Sequence, residues 1–138
     1  MAYRSSKEER DRVRREVLES IAPGSTPLPI RRRRASYRVR GVSLHTRYCR
    51  GGKTGFWFNS NPNSLRADFE LWICGNSRHW YLIPGEVLRH MYDAPDAYPD
   101  HHHAEICVVA VDVGSHIASY ARRALPLDLS AYFLGVLP

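Results

Sequence analysis

The stretch Phe69-Glu70-Leu71-Trp72-Ile73-Cys74-Gly75-Asn76-Ser77-Arg78-His79-Trp80-Tyr81-Leu82-Ile83-Pro84 holds two apolar, aromatic-rich runs separated by a Gly-Asn turn signal. β-Branched and aromatic side chains suit a pleated, buried surface, and a short polar break between two such runs reads as a hairpin. Pro84 then stands at a first helical turn, where a missing N–H is no loss, and Val87, Leu88 and Met91 begin a short helix. A hairpin leading directly into a helix points to a sheet with helices packed on it.

Working outward, the preceding segment also alternates with period two. Tyr37, Val39, Val42 and Leu44 stand against polar neighbours, and the phase changes at Gly41. That pattern fits two strands joined by a tight turn, or one strand with a bulge. Arg50-Gly51-Gly52-Lys53 reads as a loop, Gly55-Phe56-Trp57-Phe58-Asn59 as a short aromatic strand, and Asn59–Ser64 as a polar turn region. Farther upstream, Val13, Val17, Leu18 and Ile21 fall at helical spacing, and Ser6 with Glu9 forms a capping box, so residues 6–21 are expected to be a helix. The turn formers Pro23, Gly24 and Pro27 end it. Downstream, residues 93–103 are acidic and irregular. The run from Glu105 to Val113 is apolar on both faces, as in a strand covered on both sides. Ser115 is expected to cap a further helix reaching Ala124. The order predicts an α+β fold: a mixed β-sheet, built as a meander, flanked by helices.

The 138 residues suit one domain, and 43% hydrophobic content is enough to build its core, which excludes a disordered chain. No apolar run approaches the ~20 residues of a membrane span, and no signal-peptide pattern follows Met1. Cys49, Cys74 and Cys107 lack paired spacing, so reduced thiols and a cytoplasmic setting are expected.

Charge is distributed unevenly. Between Glu19 and Asp68 there is no acidic residue, yet residues 20–67 carry ten basic ones: Arg31, Arg32, Arg33, Arg34, Arg38, Arg40, Arg47, Arg50, Lys53 and Arg66. The whole chain has 20 basic and 14 acidic side chains, so everything outside this segment is net negative. Nine of the ten are arginine, whose planar fork matches phosphate oxygens. A polyanion partner follows, nucleic acid before a membrane surface, because no amphipathic apolar helix accompanies the charge. Phosphate contacts are expected from Arg31, Arg33, Arg38, Arg40, Arg47, Arg50 and Lys53. The run Arg31–Arg34 reads by itself as a flexible basic arm. Trp57, pointing opposite to Phe56 and Phe58, is the aromatic expected to stack on unpaired bases.

In order, the chain sets out Val42-Ser43-Leu44-His45-Thr46, Arg50-Gly51-Gly52-Lys53, Phe56-Trp57-Phe58, Ala67-Asp68-Phe69 and Trp80-Tyr81-Leu82-Ile83-Pro84. This resembles the small PD-(D/E)XK, restriction-endonuclease-like nucleases over roughly the middle half of the chain. The resemblance implies that fold, binding of DNA in preference to RNA, and Mg²⁺ held by two carboxylates beside a lysine. Ser43 and His45 stand where the class keeps its acid and lysine, and its upstream metal-binding Asp would fall near Ser36 or Tyr37. Glu16 corresponds to the helix carboxylate. The implied activity is therefore that of a DNA-binding protein, or of an Mg²⁺-dependent endonuclease whose site is rearranged around His45, Glu16 and Asp68. A homodimer is expected by analogy with enzymes that cut both strands.

Other residues carry chemistry of their own. His45 beside Arg47 suits a general acid/base near a phosphate, with the arginine stabilising developing negative charge. Asp68 and Glu70 alternate on one strand and share a face, as a cation pair or as a solvated edge. His101, His103, Glu105 and Cys107 would line one face of an extended strand with metal-type donors, against the plainer reading of exposed histidines. A different class of function is also consistent with the arginines: a non-catalytic adaptor or inhibitor, of phage or mobile-element origin, that binds an acidic protein.

Overall fold

The computed structural model describes residues 2–52 and 55–138. Helix α1 (Ala2–Ile21) opens the chain and is followed by strands β1 (Leu28–Pro29), β2 (Ser36–Val39), β3 (Val42–Cys49) and β4 (Phe56–Ser60). Then come β5 (Phe69–Cys74), β6 (Trp80–Pro84), helix α2 (Gly85–Tyr92), β7 (Cys107–Asp112), β8 (Ile117–Ser119) and β9 (Leu127–Asp128). Short 3-10 turns occupy Pro62–Ser64 and Ser130–Tyr132. The content is α+β, as expected.

The meander is not what forms. The strands make two sheets: a five-stranded mixed sheet in the order β1-β2-β3-β5-β6 and a four-stranded antiparallel sheet in the order β4-β7-β8-β9. β3 and β5 run parallel, with Leu44 opposite Phe69 and Cys49 opposite Cys74. A parallel pair cannot be closed by a tight turn, and here β4 and the Pro62–Ser64 turn supply the crossover by leaving for the second sheet. The expected hairpin is present, with Ile73 opposite Trp80 and Phe69 opposite Pro84. β2 and β3 form the tight-turn alternative: Arg40 and Gly41 both take positive φ, 48° and 81°, which is the type I′ pattern that matches strand twist.

Alternation along β5 sorts the core. Leu71 and Ile73 face α1, where they bury with Val13, Val17, Leu18 and Ile21 of the helix and with Val39, Leu44 and Leu82 of neighbouring strands. Trp72 and Cys74 face the second sheet, where they bury with Phe58, Tyr81, Ile83, Val109 and Val111 and with Leu88 and Met91 of α2. The Phe58 and Trp72 rings stack between the sheets, centroids 4.6 Å apart. Each large apolar side chain removed from water contributes about 1.5–3 kcal/mol. A polar residue at Val17 would therefore detach the helix from the mixed sheet.

Two local expectations are corrected. Ser6 lies within α1, which begins earlier, and its Oγ accepts from Nη1 of Arg50 at 3.1 Å. No helix runs from Ser115 to Ala124. The Ser115 hydroxyl donates back to Asp112 at 2.8 Å, and Asp112 also accepts from the Gly114 N–H, closing a turn. His116 takes a positive φ of 59°, and Ile117–Ser119 pair with the end of β7. The side-chain turn and the neighbouring apolar strand prevail over helix propensity. Among the described residues, no helix is long and apolar enough to cross a membrane.

Candidate nucleic-acid interface and its cavity

The second sheet covers the β5–β6 half of the mixed sheet and leaves the β2–β3 half open. Register places Ser36, Arg38, Ser43 and His45 on that open face, beside Glu70 of β5. A cavity of about 360 Å³ forms there. Ser36, Ser43, His45 and Glu70 line its buried part, and the exposed Arg33, Arg34 and Arg66 ring it.

The Arg31–Arg34 run is a pinned loop. The Ile30 N–H donates to Ser36 O at 2.9 Å, and the Arg33 N–H donates to Ile30 O at 3.2 Å. Ala35 O accepts from both the N–H and the Oγ1 of Thr46, at 2.7 and 3.0 Å. Arg32 and Ala35 take positive φ to make these turns. The loop thus presents its guanidinium groups from a fixed backbone.

Among the described residues, the guanidinium groups of the exposed Arg31, Arg32, Arg33, Arg34, Arg38 and Arg66 make no hydrogen bond or ion pair to protein. Three other expected phosphate contacts are turned toward the protein. Arg40 donates through Nε to Ser25 Oγ (2.9 Å), through Nη1 to Leu137 O (3.2 Å) and through Nη2 to Pro23 O (2.9 Å). Arg47 bonds Glu70, Asn59 O and Ser60 Oγ. Arg50 donates to Ser6. Lys53 lies outside the described residues. Trp57 is 46% exposed on β4, on the side opposite the buried Phe58, and its N–H donates to Cys49 Sγ at 3.5 Å.

His45 is half-buried in the cavity. Its Nδ1 lies 3.0 Å from Ser36 Oγ, and that hydroxyl also lies 3.1 Å from Arg34 O. With the hydroxyl proton on Arg34 O, Nδ1 carries the proton given to Ser36 and Nε2 keeps a lone pair; with it on Nδ1, the tautomer is reversed. Burial, followed by the nearby Arg47, lowers the His45 pKa, with Arg14 adding to this and Glu70 opposing it. Burial and Arg47 both favour the uncharged imidazole.

The three residues His45, Glu16 and Asp68 do not converge. Glu16 lies on α1, across the mixed sheet from His45. Its carboxyl is held below the usual range by hydrogen bonds from Ser77 and Arg12, the latter at 2.8 Å. Asp68 is tied to β3 instead: its Oδ2 accepts from the Ser43 N–H, and its own N–H donates to Ser43 Oγ, both at 2.9 Å. Glu70 is the carboxylate in the cavity, but its Oε1 accepts from Arg47 Nε and Trp72 Nε1, each at 2.9 Å. This donor set does not fit an Mg²⁺ pair, and no step is derived through that ion. The His101–Glu105 segment is exposed and irregular, with β7 starting only at Cys107. Among the described residues, no group of three or more His, Cys, Asp and Glu side chains is placed to hold a metal ion.

Glu70 was legible as an acid inside an otherwise apolar strand. The signal for its role was that a buried carboxylate needs a cationic partner, and Arg47 stands on the neighbouring strand. Comparison with protein-family models, curated proteins and solved structures finds no match for the chain.

Proposed function

We propose that this chain is a nucleic-acid-binding protein, with DNA preferred over RNA, built on a restriction-endonuclease-like frame. One observation carries the reading. Six exposed arginines have guanidinium groups that lack protein partners among the described residues, in a segment that holds no acid between Glu19 and Asp68. Arg33, Arg34 and Arg66 lie at the cavity, Arg38 on the same sheet face, and Arg31 and Arg32 in the adjoining loop. Uncompensated guanidinium groups on a pinned loop are pre-organised for phosphate oxygens. Preference for DNA rests on the order of motifs shared with the restriction-endonuclease-like class, and a cytoplasmic setting on the three free cysteines. The exposed Trp57 supports stacking on an unpaired base. Cleavage is left out of the proposal, because the carboxylates near the cavity are engaged with protein donors.

The test is fluorescence anisotropy with a labelled duplex across a range of salt. Neutralising about six phosphates gives a log–log slope of roughly −5. A flat slope, or tighter binding to an acidic protein than to DNA at the same salt, overturns the reading in favour of an adaptor or inhibitor.

A further inference from the structure

We infer that the cavity beside His45 receives a phosphate monoester, the terminal phosphate of a DNA strand. The inference deepens the nucleic-acid reading above and rests on it. The first argument is charge. Four arginines, Arg33, Arg34, Arg47 and Arg66, line the cavity, with one acidic residue, Glu70. The Arg47–Glu70 pair at 2.9 Å neutralises itself, which leaves three positive charges without a counter-charge in the cavity wall. An internal phosphodiester brings one negative charge. A terminal phosphate brings about −1.5 to −2 and three acceptor oxygens, a closer match to three forks.

Shape gives the second argument. The arginines that ring the opening, Arg33, Arg34 and Arg66, are exposed, whereas Ser36, Ser43 and Glu70 behind them are buried. At about 360 Å³ the cavity is at the small end of the ~300–1,000 Å³ typical of small-molecule pockets, with room for a terminal phosphate and part of its nucleotide. A strand end, with no following nucleotide, would place its phosphate past the exposed arginines and beside Ser36 and Ser43. His45 lines the same cavity beside Ser36 and Ser43, where the inserted group would lie.

The experiment compares three labelled oligonucleotides of one sequence: phosphorylated at the 5′ end, phosphorylated at the 3′ end, and carrying hydroxyls at both. Anisotropy titrations use the intact chain and two variants, Arg66→Ala at the cavity rim and Arg38→Ala on the same face outside it. Both positions are exposed, and thermal melts check that the variants remain folded. One phosphorylated form is expected to bind roughly ten-fold tighter than the hydroxyl form. Arg66→Ala should erase that preference, and Arg38→Ala should weaken all three oligonucleotides alike. Equal affinity for all three overturns the cavity assignment and leaves the arginine face as a binder of internal phosphates. If none of the three binds, the nucleic-acid reading falls with it. A mononucleotide that competes as strongly as the phosphorylated strand overturns the strand-end assignment and gives the cavity to a free phosphate monoester.

Discussion

Arg47 and Glu70 form an ion pair inside the mixed sheet, Nε to Oε1 at 2.9 Å, with the Glu70 side chain only 2% exposed. The same guanidinium spans the gap between sheets, donating to Asn59 O at 2.8 Å and Ser60 Oγ at 3.0 Å on β4. It is a polar tie between the two layers, beside the bond from the Trp57 backbone N–H on β4 to Cys49 Sγ on β3. Removing one partner of such a pair leaves the other charge buried alone, which costs about 3–5 kcal/mol. Arg47→Ala is expected to lower stability in urea denaturation by about that much. Arg47→Lys should recover little, because an ammonium cannot reproduce the fork. The double variant Arg47→Met with Glu70→Leu should be more stable than Arg47→Ala alone.

Arg40 makes a second structural tie. It occupies the first position of the β2–β3 turn at φ 48°, and its three hydrogen bonds join that turn to the Pro23–Ser25 turn and to Leu137. Arg40→Ala loses these bonds and keeps an unfavourable left-handed conformation, so a loss of about 1–3 kcal/mol is expected. Arg40→Asn retains a residue suited to the type I′ turn but still loses the bonds, and should fall between the two. Thermal melts rank the three. Duplex affinity and its salt slope should be unchanged in folded Arg40→Asn, since this guanidinium faces protein acceptors.

The contrast between these arginines and the exposed ones shows where sequence reading stops. The hairpin of residues 69–84 was legible because both strands and their turn lie within sixteen consecutive residues, so local pattern fixes the pairing. The parallel pairing of β3 with β5 was not, because it depends on where β4 goes, and an apolar strand such as Phe56–Ser60 does not declare which sheet it will join. The arginine segment was legible as a block of charge. Its division into Arg40, Arg47 and Arg50 on one side and Arg31–Arg34, Arg38 and Arg66 on the other needed the third dimension. Ser25, Asn59 and Ser6 are ordinary polar residues until the fold brings them within reach. Ser115 misled for a related reason: a good helix cap is equally good at closing a turn on Asp112.

His45 gives stability a pH dependence of known sign. Burial first, then Arg47 on its own strand and Arg14 on α1, disfavour its protonated form, with Glu70 opposing; Arg33, Arg34 and Arg66 also line the cavity that it faces. The folded pKa is therefore below the unfolded one, near 6.5, and the unfolded chain binds more protons in the window between them. The stabilisation is complete above about pH 6.5 and declines as pH falls below it. Urea midpoints for the wild type and His45→Gln between neutral and mildly acidic pH check this. The wild type should lose stability more steeply as pH falls, and parallel curves would show that His45 does not contribute.

The exposed arginines should be separable from the structural ones by salt dependence alone. Each phosphate contact removed takes about 0.9 from the slope of log affinity against log salt. The triple variant Arg31→Ala, Arg33→Ala, Arg38→Ala removes three guanidinium groups that make no hydrogen bond or ion pair to protein among the described residues. Its slope is expected to drop from roughly −5 to roughly −2 or −3, while its melting temperature stays near that of the wild type. The positions are on a pinned loop and on β2, so the loss falls on charge and leaves the backbone turns in place. Arg40→Asn is the counterpart, with lower stability and an unchanged slope. A triple variant that keeps the full slope would remove the arginine face from the interface and move the search for phosphate contacts to the basic residues of α1.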